Sequence, residues 1–299
     1  MAATEFRRSR SSVLGSKETD KTSARALFDD TDHLADVLES YATNSIPGLV
    51  FPDVSVPTGV AQYTQVSAED MKVEGVGVRS EHSEYPMVRF TPGDLKKAHT
   101  SDIGGKFRVS DEAIDAGDTS LIEDGLSLLG TSINDTLNTM MVEALAQVTD
   151  EKNGGLSIGA NSFHGVTLDG ANPTPAEKRP WASIVAARGL LRKHGLSANA
   201  NVLLLDWDSA DALTLLYDQN NLEEQWGLTI YGCDKLPEGT GYLLDARHFG
   251  KLVTKDGLQV ETWRDPSIRA TWCQSYIEPV ITIQRPRNVV RLFGLGLQD

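Results

Sequence analysis

Residues 110–148, SDEAIDAGDTSLIEDGLSLLGTSINDTLNTMMVEALAQV, decide the fold because they carry a long amphipathic pattern. Apolar side chains recur at steps of three and four residues, the spacing of one face of an α-helix, and no proline interrupts the run. The residues predicted to face a core are Ile122, Leu126, Leu129, Ile133, Leu137, Met140, Ala144 and Val148. The residues predicted to face water are Glu123, Asp124, Ser127, Asn134, Asp135 and Asn138.

The pattern predicts a helix over residues 118–148, about 45 Å long at 1.5 Å per residue. Gly125 and Gly130 lie inside it and cost roughly 1 kcal/mol each relative to alanine, so any break is expected near them. A helix of this length exceeds what a compact domain of this size usually needs. We interpret it as a spine along which a flat, extended molecule is laid out.

The composition is that of a soluble globular protein with enough residues for two packed units. The chain has 299 residues, of which 40% are hydrophobic and 23% are charged. No apolar run approaches the ~20 residues of a membrane span, and residues 1–12 lack the apolar segment of a signal peptide. Cys233 and Cys273 are too few for a disulfide framework, so free thiols in a reducing cytoplasm are expected.

The net charge of −14 argues against a protein that coats nucleic acid. An acidic chain repels the phosphate backbone at long range, so any contact with DNA is expected to be weak or local. Arg7, Arg8 and Arg10 form the one obvious basic cluster, and they are interpreted as part of a solvated, polar N-terminal arm.

Residues 60–109 lose the helical period and alternate with period two, which predicts strands. The polar residues 80–84 separate two of these strands and are predicted to form a hairpin tip. Such a half-polar hairpin has no core of its own, so it is expected to lie on another surface, such as a neighbouring subunit. The predicted strands are Gln62–Val66, Met71–Glu74, Val76–Arg79, Met87–Thr91 and Lys106–Val109.

The rest of the chain is predicted to alternate helices and strands. Short helices are expected at residues 32–41 and 180–194, and the glycine-rich and proline-rich residues 150–179 are expected to form a loop with weak strands around 163–168. Residues 198–270 are predicted to form an α/β unit with a buried strand at Val202–Leu205. Residues 276–292 are predicted to form two strands joined at residues 285–287.

One pair of carboxylates is a candidate for catalysis or metal binding. The histidines are scattered, with no His or Cys partner at helical spacing, and no phosphate-binding loop is present. Asp206 and Asp208 directly follow the predicted buried strand, where two carboxylates are able to hold a divalent metal. The simpler interpretation is that Asp206 ends the strand and Asp208 caps the following helix. No catalytic residue, cofactor site or metal site is therefore predicted.

The order of the segments resembles the major capsid proteins of tailed double-stranded DNA phages (Caudoviricetes), which have the Hong Kong 97-type fold. The likeness is nearest to capsid proteins of phages that infect actinobacteria, and it covers about residues 45–295. The stretches that carry it are Glu84–Phe90 with Gly104–Ala113, Ala200–Leu205 with Gly227–Gly232 and Pro237–Thr240, and Glu278–Val280 with Val289–Gly294.

The resemblance implies an α+β capsid fold with named parts. It implies an N-terminal arm at residues 1–45 and an extended hairpin loop with flanking strands at 46–109. It further implies a peripheral domain at 110–197 that contains the spine helix 118–148, an axial α/β domain at 198–270, and closing strands of the peripheral domain at 271–299.

The resemblance also implies a function and partners. Many copies would tile an icosahedral shell as pentamers and hexamers in the virion, after assembly in the cytoplasm of the host bacterium. A portal protein at one vertex and an optional decoration protein are implied, and a separate scaffolding protein is expected because only ~45 residues precede the likeness. The charged residues expected to contact a neighbouring subunit are Glu69, Lys72, Arg79, Glu81, Glu84 and Arg89.

The chain departs from those family members that crosslink a loop lysine to an asparagine before the last strands. Loop lysines are present at positions 72, 96 and 97, but residues 262–274 contain no asparagine, and Arg269 lies about where it would fall. The sequence therefore predicts a shell without isopeptide bonds.

Two alternatives to a phage capsid protein remain open. The first is an encapsulin-type nanocompartment shell, which shares the fold but encloses cargo enzymes. The polar arm at residues 1–30 favours the phage protein, and the contents of the particle, DNA or protein, would separate the two. The second is a metal-dependent transferase built on Asp206 and Asp208, for which manganese binding that is lost in Asp208→Asn would be diagnostic.

Overall fold

The computed structural model describes residues 28, 31–42, 45–66, 77–85, 87, 93–117, 119–195, 198–217, 223–224 and 226–296. The N-terminal arginines and the strand predicted at 71–74 lie outside the described residues, as does nearly all of the strand predicted at 87–91.

The described helices alternate with strands along most of the chain. The α-helices are α1 (Thr31–Ala42), α2 (Ile46–Val50), α3 (Asp111–Asp115), α4 (Ser120–Thr149), α5 (Pro180–His194), α6 (Trp207–Tyr217) and α7 (Ala246–Phe249). The short 3₁₀ turns are Glu151–Asn153 and Ala176–Lys178.

The described strands fall into four sheets. The strands are β1 (Asp53–Ser55), β2 (Val60–Gln65), β3 (Asp94–His99), β4 (Ile103–Ser110), β5 (Ser157–Gly159), β6 (Val202–Leu205), β7 (Thr229–Gly232), β8 (Thr240–Leu244), β9 (Gly250–Thr254), β10 (Gln259–Asp265), β11 (Ala270–Ile277), β12 (Pro279–Ile283) and β13 (Val289–Phe293).

Helix α4 confirms the predicted spine helix, and it continues without a break through Gly125 and Gly130. The buried stripe differs from the prediction at its C-terminal end. There Met141 and Leu145 are buried, whereas Met140 and Ala144 are only partly buried, so the burial continues in steps of four residues and enters a core with strand residues. The predicted residues that are buried are Ile122, Leu126, Leu129, Ile133 and Leu137.

Asn138, predicted to face water, is buried instead. Its side-chain oxygen Oδ1 accepts a hydrogen bond of 3.0 Å from the backbone N–H of Ile46. Ile46 is the first residue of α2, where backbone N–H groups have no acceptor within their own helix. The sequence pattern missed this because polarity alone does not reveal that a side chain caps another helix.

The described residues form two compact units. The first contains the described residues of 1–44, 102–136 and 256–278, and the second contains those of 45–101, 137–255 and 279–299. Helix α4 supplies its N-terminal half to the first unit and its C-terminal half to the second.

The first unit is built on an antiparallel sheet with the strand order β10–β11–β4. Cys273 of β11 lies opposite Thr262 of β10 and Phe107 of β4, so these three residues share one face. On this face, Phe107 packs against Gly125 of α4, and the Thr262 hydroxyl donates a 2.9 Å hydrogen bond to the carbonyl of Phe28. The face that carries these contacts is therefore the inner one.

The second unit is built on a five-stranded sheet with the order β5–β13–β8–β6–β7. Strand β6 is buried at all four residues, as its continuous apolar run predicted. Leu203 and Leu205 pack with α5 and α6 on one face of the sheet. Val202 and Leu204 pack with Met141 of α4 and with α2 on the other. The smaller sheets β1–β9–β12 and β2–β3 also belong to this unit.

The strand assignment predicted around residues 163–168 is wrong, because these residues form no strand; the strand of that loop is β5, which pairs in parallel with β13 at Ser157 and Arg291. The two strands predicted within residues 276–292 are present as β12 and β13, with the predicted junction at residues 285–287 between them. The two strands join different sheets. The first residues of the predicted range, 276 and 277, end β11, and only Glu278 separates β11 from β12, too short a break to stand out in the sequence.

Strands β2 and β3 form the antiparallel base of the predicted hairpin, with Val60 opposite His99 and Gln65 opposite Asp94. The sequence did not indicate β3, since its residues DLKKAH are almost all exposed and lack alternation. Residues 77–79, which belong to the strand predicted at Val76–Arg79, form no strand.

Candidate assembly surfaces

The six predicted contact residues all belong to the segment that connects β2 to β3. Arg79, Glu81 and Glu84 are described and exposed. Glu69, Lys72 and Arg89 lie outside the described residues. Among the described part of the chain, Arg79, Glu81 and Glu84 make no ion pair within their own subunit.

Residues 77–85 and 87, here called the hairpin tip, are held in shape by local contacts. The N–H and the hydroxyl of Ser83 both donate to the carbonyl of Ser80, at 3.2 and 2.8 Å, and His82 between them adopts a left-handed conformation with φ 65°. Arg79 donates to the carbonyl of Ser83 at 3.3 Å, and its guanidinium lies 4.8 Å from the centroid of the Tyr85 ring. The tip is thus an ordered turn with a cation–π contact.

The hairpin tip is exposed at every described residue. Val78 is 102% exposed, Met87 is 82% exposed and Tyr85 is 77% exposed. A cluster of large apolar side chains in water marks an interaction site more often than a free surface. The described part of the subunit itself provides no surface that covers them.

The base of the hairpin, in contrast, is fixed to the second unit. The N–H of Val66 donates to the carbonyl of Gln284 at 2.8 Å, and the Gln65 side chain donates to the carbonyl of Ile283 at 3.1 Å. Burial raises the pKa of Tyr63, which lies in the same strand. The subunit therefore anchors the base of the hairpin and leaves the tip exposed.

The outer face of the β10–β11–β4 sheet carries a second notable surface. Trp263 and Trp272 stack with ring centroids 6.2 Å apart and an interplanar angle of 16°. The Lys106 ammonium lies 4.8 Å from the Trp272 centroid, and the Arg108 guanidinium lies 5.6 Å from it. We call these four residues the tryptophan face. No local sequence pattern indicates this face, because the pairing of β4 with β11 brings together residues more than 160 positions apart.

Arg269 lies in the turn between β10 and β11, with φ 49°. Its guanidinium forms an exposed ion pair with Glu112 at 3.2 Å. The position that the resemblance assigned to a crosslinking asparagine thus holds a cation in an exposed turn, and an arginine provides no amide carbonyl for a lysine to attack.

Asp206 and Asp208 form a helix start and not a paired-carboxylate site. Helix α6 begins at Trp207, and Oδ2 of the buried Asp206 accepts a 3.2 Å hydrogen bond from the N–H of Ser209. Asp206 is therefore the cap, and the prediction that Asp208 caps the helix is wrong by two residues. Asp208 is exposed in the first turn. No cluster of three or more His, Cys, Asp or Glu residues in the described chain is arranged to hold a metal ion.

Replacing Asp206 by alanine should lower the free energy of unfolding by about 1 kcal/mol, because the helix loses its cap. The matched variant Asp208→Ala should change it by less than about 0.5 kcal/mol, since that side chain is exposed. Urea unfolding of the unassembled protein measures both values. A larger loss from Asp208→Ala than from Asp206→Ala would contradict the cap assignment.

Cys233 and Cys273 are free and fully buried, one in each unit. Burial raises the pKa of the Cys233 thiol and raises that of the Cys273 thiol to about 12. Both thiols are therefore protonated at neutral pH and chemically inert. None of the helices in the described ranges is both long and apolar enough to cross a membrane.

Solved structures of a virus-like particle and of phages have the same fold. A virus-like particle from Pyrococcus furiosus matches with a TM-score of 0.64 and 13% identity, over 88% of this chain and 98% of that one. A structure from Mycobacterium phage Bobi matches with a TM-score of 0.58 and 13% identity, over 82% of this chain and 88% of that one. A structure from Microbacterium phage Oxtober96 matches with a TM-score of 0.56 and 11% identity, over 80% of this chain and 84% of that one. These likenesses confirm the predicted Hong Kong 97-type fold.

Sequence comparison leads to the same family by an independent route. No curated protein matches the chain. Residues 95–292, more than half of the chain, match the family model described as phage capsid protein. This range runs from the hairpin base through the spine helix to the last strand of the five-stranded sheet. The chain therefore belongs to the phage capsid protein family, whose members are structural proteins of the phage shell.

Proposed function

We propose that the protein assembles as pentamers and hexamers into an icosahedral shell around double-stranded DNA, with each hairpin tip lying on a neighbouring subunit. The observation that carries this proposal is the contrast within the hairpin. Its base is bonded to the subunit through main-chain groups, while Val78, Tyr85 and Met87 at its tip are exposed. An ordered apolar tip that points away from its own core is typical of a segment that a partner covers.

The chemistry of the tryptophan face makes it a suitable acceptor for a tip from another copy. The tip carries Glu81 and Glu84 beside its apolar residues, and the face carries Lys106 and Arg108 beside Trp263 and Trp272. Opposite charges flank apolar surface on both sides, so one contact buries the apolar groups and pairs the charges. Such pairing supplies register and specificity more than affinity.

The other parts of the proposal follow from membership of the capsid family. The boundaries at residues 45, 109, 197 and 270 would separate arm, loop, peripheral and axial domains, with closing strands after 270. A scaffolding protein and a portal protein would act during assembly in the host cytoplasm, and a decoration protein would add to the finished shell. The acidic chain would touch packaged DNA only weakly or locally. The protein would have no enzymatic activity.

Electron microscopy of the purified protein tests the proposal directly. We expect closed shells, with pentameric and hexameric units resolved in class averages. A protein that stays monomeric under every assembly condition, with or without a co-expressed scaffolding protein, would overturn it.

We further expect the shell to be held together without covalent bonds between subunits. Residues 262–274 contain no asparagine, and the exposed turn there presents Arg269 instead. Particles boiled in detergent should therefore run as a single monomer band at 32.5 kDa on a denaturing gel. A ladder of covalent oligomers would contradict this expectation.

A nanocompartment shell is the second candidate, because the virus-like particle from Pyrococcus furiosus has the same fold over 98% of its length. At 13% identity this likeness shows the fold alone. The contents of particles isolated from their natural source separate the candidates: nuclease-protected DNA supports the phage shell, and an enclosed protein supports the nanocompartment.

A further inference from the structure

Helix α6 has an acidic outer face. Asp208, Asp211 and Leu215 lie along it at steps of three and four residues, and all three are exposed. Leu215 is 89% exposed, whereas Ala210 and Leu213 on the opposite side of the helix are buried. A single exposed leucine is ordinary on a protein surface. The informative feature is that Leu215 lies beside two carboxylates, whereas the exposed face of α5 carries positive charges.

Helix α5 has a basic outer face of matching design. Val185, Gly189, Arg192 and Lys193 lie along it and are exposed. A Cβ atom placed on Gly189 would meet no atom within 4 Å, so the helix has a notch at this position. The face therefore combines a shallow apolar site with two positive charges one turn away.

The two faces do not neutralise each other within one subunit. Ile184 and Leu191 of α5 and Leu213 of α6 lie in one hydrophobic core, which fixes both helices with their outer faces exposed. No ion pair among the described residues joins the carboxylates of α6 to Arg192 or Lys193.

The basic face carries repulsion that a carboxylate would relieve. Arg188 lies one turn before Arg192 and donates a hydrogen bond to the carbonyl of Trp226. Burial, and then the charge of Arg192, lower the pKa of Arg188. Bringing negative charge to this face would offset the repulsion between the two guanidinium groups.

We propose that the outer face of α6 in one copy of the protein packs on the outer face of α5 in a second copy. This inference rests on the proposed function and names a contact within the assembly. The occupant is a second copy because the same chain provides both complementary faces.

The spacing of the two faces allows apolar and charged groups to match at once. Leu215 is seven residues from Asp208, and Val185 is seven residues from Arg192, so each pair is separated by about 10.5 Å along its helix. In an antiparallel contact, Leu215 meets Val185 and the Gly189 notch, while Asp208 meets Arg192. Asp211 lies between Asp208 and Leu215 along α6, within reach of Arg192 or Lys193 of the second copy.

Charge reversal tests this contact in the full-length protein. The acid variant carries Asp208→Lys and Asp211→Lys, the base variant carries Arg192→Glu and Lys193→Glu, and the combined variant carries all four changes. Sedimentation measures the yield of shells, and thermal melting of the unassembled fraction checks the folding of each. We expect each single-face variant to lose at least about tenfold in yield, because like charges meet at the contact. The combined variant should recover to within about twofold of the unaltered protein.

Each outcome is decisive. Shells at normal yield from either single-face variant, or a combined variant as defective as the others, would overturn the contact. If a charge-reversal variant unfolds, the double variant Asp208→Asn with Asp211→Asn replaces it. The yield of shells from this variant should fall and should no longer depend on the salt concentration. An unaltered protein that forms no shells would instead be a failure of the proposed function.

Discussion

A chain that lacks residues 67–90 should remain folded and soluble but build no normal shells. The ends of the deleted segment already lie together in the subunit: a Cβ placed on Gly93 would be 2.4 Å from the Gln65 carbonyl oxygen and 3.0 Å from the Val66 Cα. Strands β2 and β3 can therefore be joined without moving either. The hydrogen bonds from Gln65 to Ile283 and from Val66 to Gln284 would be kept.

The loss of assembly is expected to be large. The deletion removes the three apolar side chains of the hairpin tip, Val78, Tyr85 and Met87. Fully burying a side chain of this kind contributes roughly 1.5–3 kcal/mol. Their removal therefore weakens each contact by about 5 kcal/mol or more, a factor above a thousand in an equilibrium constant. A cooperative shell, which repeats the contact many times, would not form at ordinary concentrations.

Sedimentation of the purified deletion variant measures this effect, and its melting temperature checks the fold. A matched control removes residues 169–172, an exposed loop without large apolar side chains, closed by the 2.8 Å bond from the Thr174 N–H to the Thr167 carbonyl. The control should keep its shells. Normal shells from the chain without residues 67–90 would remove the main support for the proposed function.

Replacing Gly125 by alanine should destabilise the first unit, although alanine favours a helix. A Cβ at this position would lie 2.5–2.9 Å from three atoms of the Phe107 ring. Phe107 is on the inner face of β4, so the ring or the strand must move away from α4. Overpacking of this kind costs about 1–3 kcal/mol, which outweighs the gain of roughly 1 kcal/mol in helix propensity.

Gly189→Ala is the matched control, because Gly189 also lies inside a helix but has open space around it. This variant should gain up to about 1 kcal/mol in the free energy of unfolding. Urea unfolding of the two unassembled variants should give changes of opposite sign. Equal gains in both would mean that Phe107 does not pack on α4 as described.

Apolar patterns in the sequence predicted the elements whose burial is regular. The spacing of apolar residues located α4 to within two residues at each end, and the unbroken run Val202–Leu205 located a strand buried on both faces. These patterns are strong because residues three or four apart in a helix, or two apart in a strand, face the same environment. The strand β3 has no such environment, being almost fully exposed, and its sequence gave no indication of it.

The tryptophan face could not be predicted, because it forms from residues that are far apart in the sequence. The tryptophan face depends on the register that sets Trp272 opposite Arg108 and Trp263, and no local pattern encodes a register across 160 residues. The burial of Asn138 was missed for a related reason, because the backbone N–H of Ile46 that its side chain satisfies lies 92 residues away in the sequence. The cap of α6 was misplaced for a local reason: Asp206 and Asp208 are both suitable caps, and the start of the helix at Trp207 selects Asp206.

The state of the two cysteines has a practical consequence for chemistry on the finished particle. Burial raises the pKa of the Cys273 thiol to about 12, so it carries almost no thiolate at neutral pH, and both cysteines lie beneath the surface. We therefore expect maleimide reagents to leave both native sulfurs unmodified. A single cysteine introduced at an exposed surface position away from the contacts proposed above would become the one reactive handle, and dyes or antigens would attach there once per subunit.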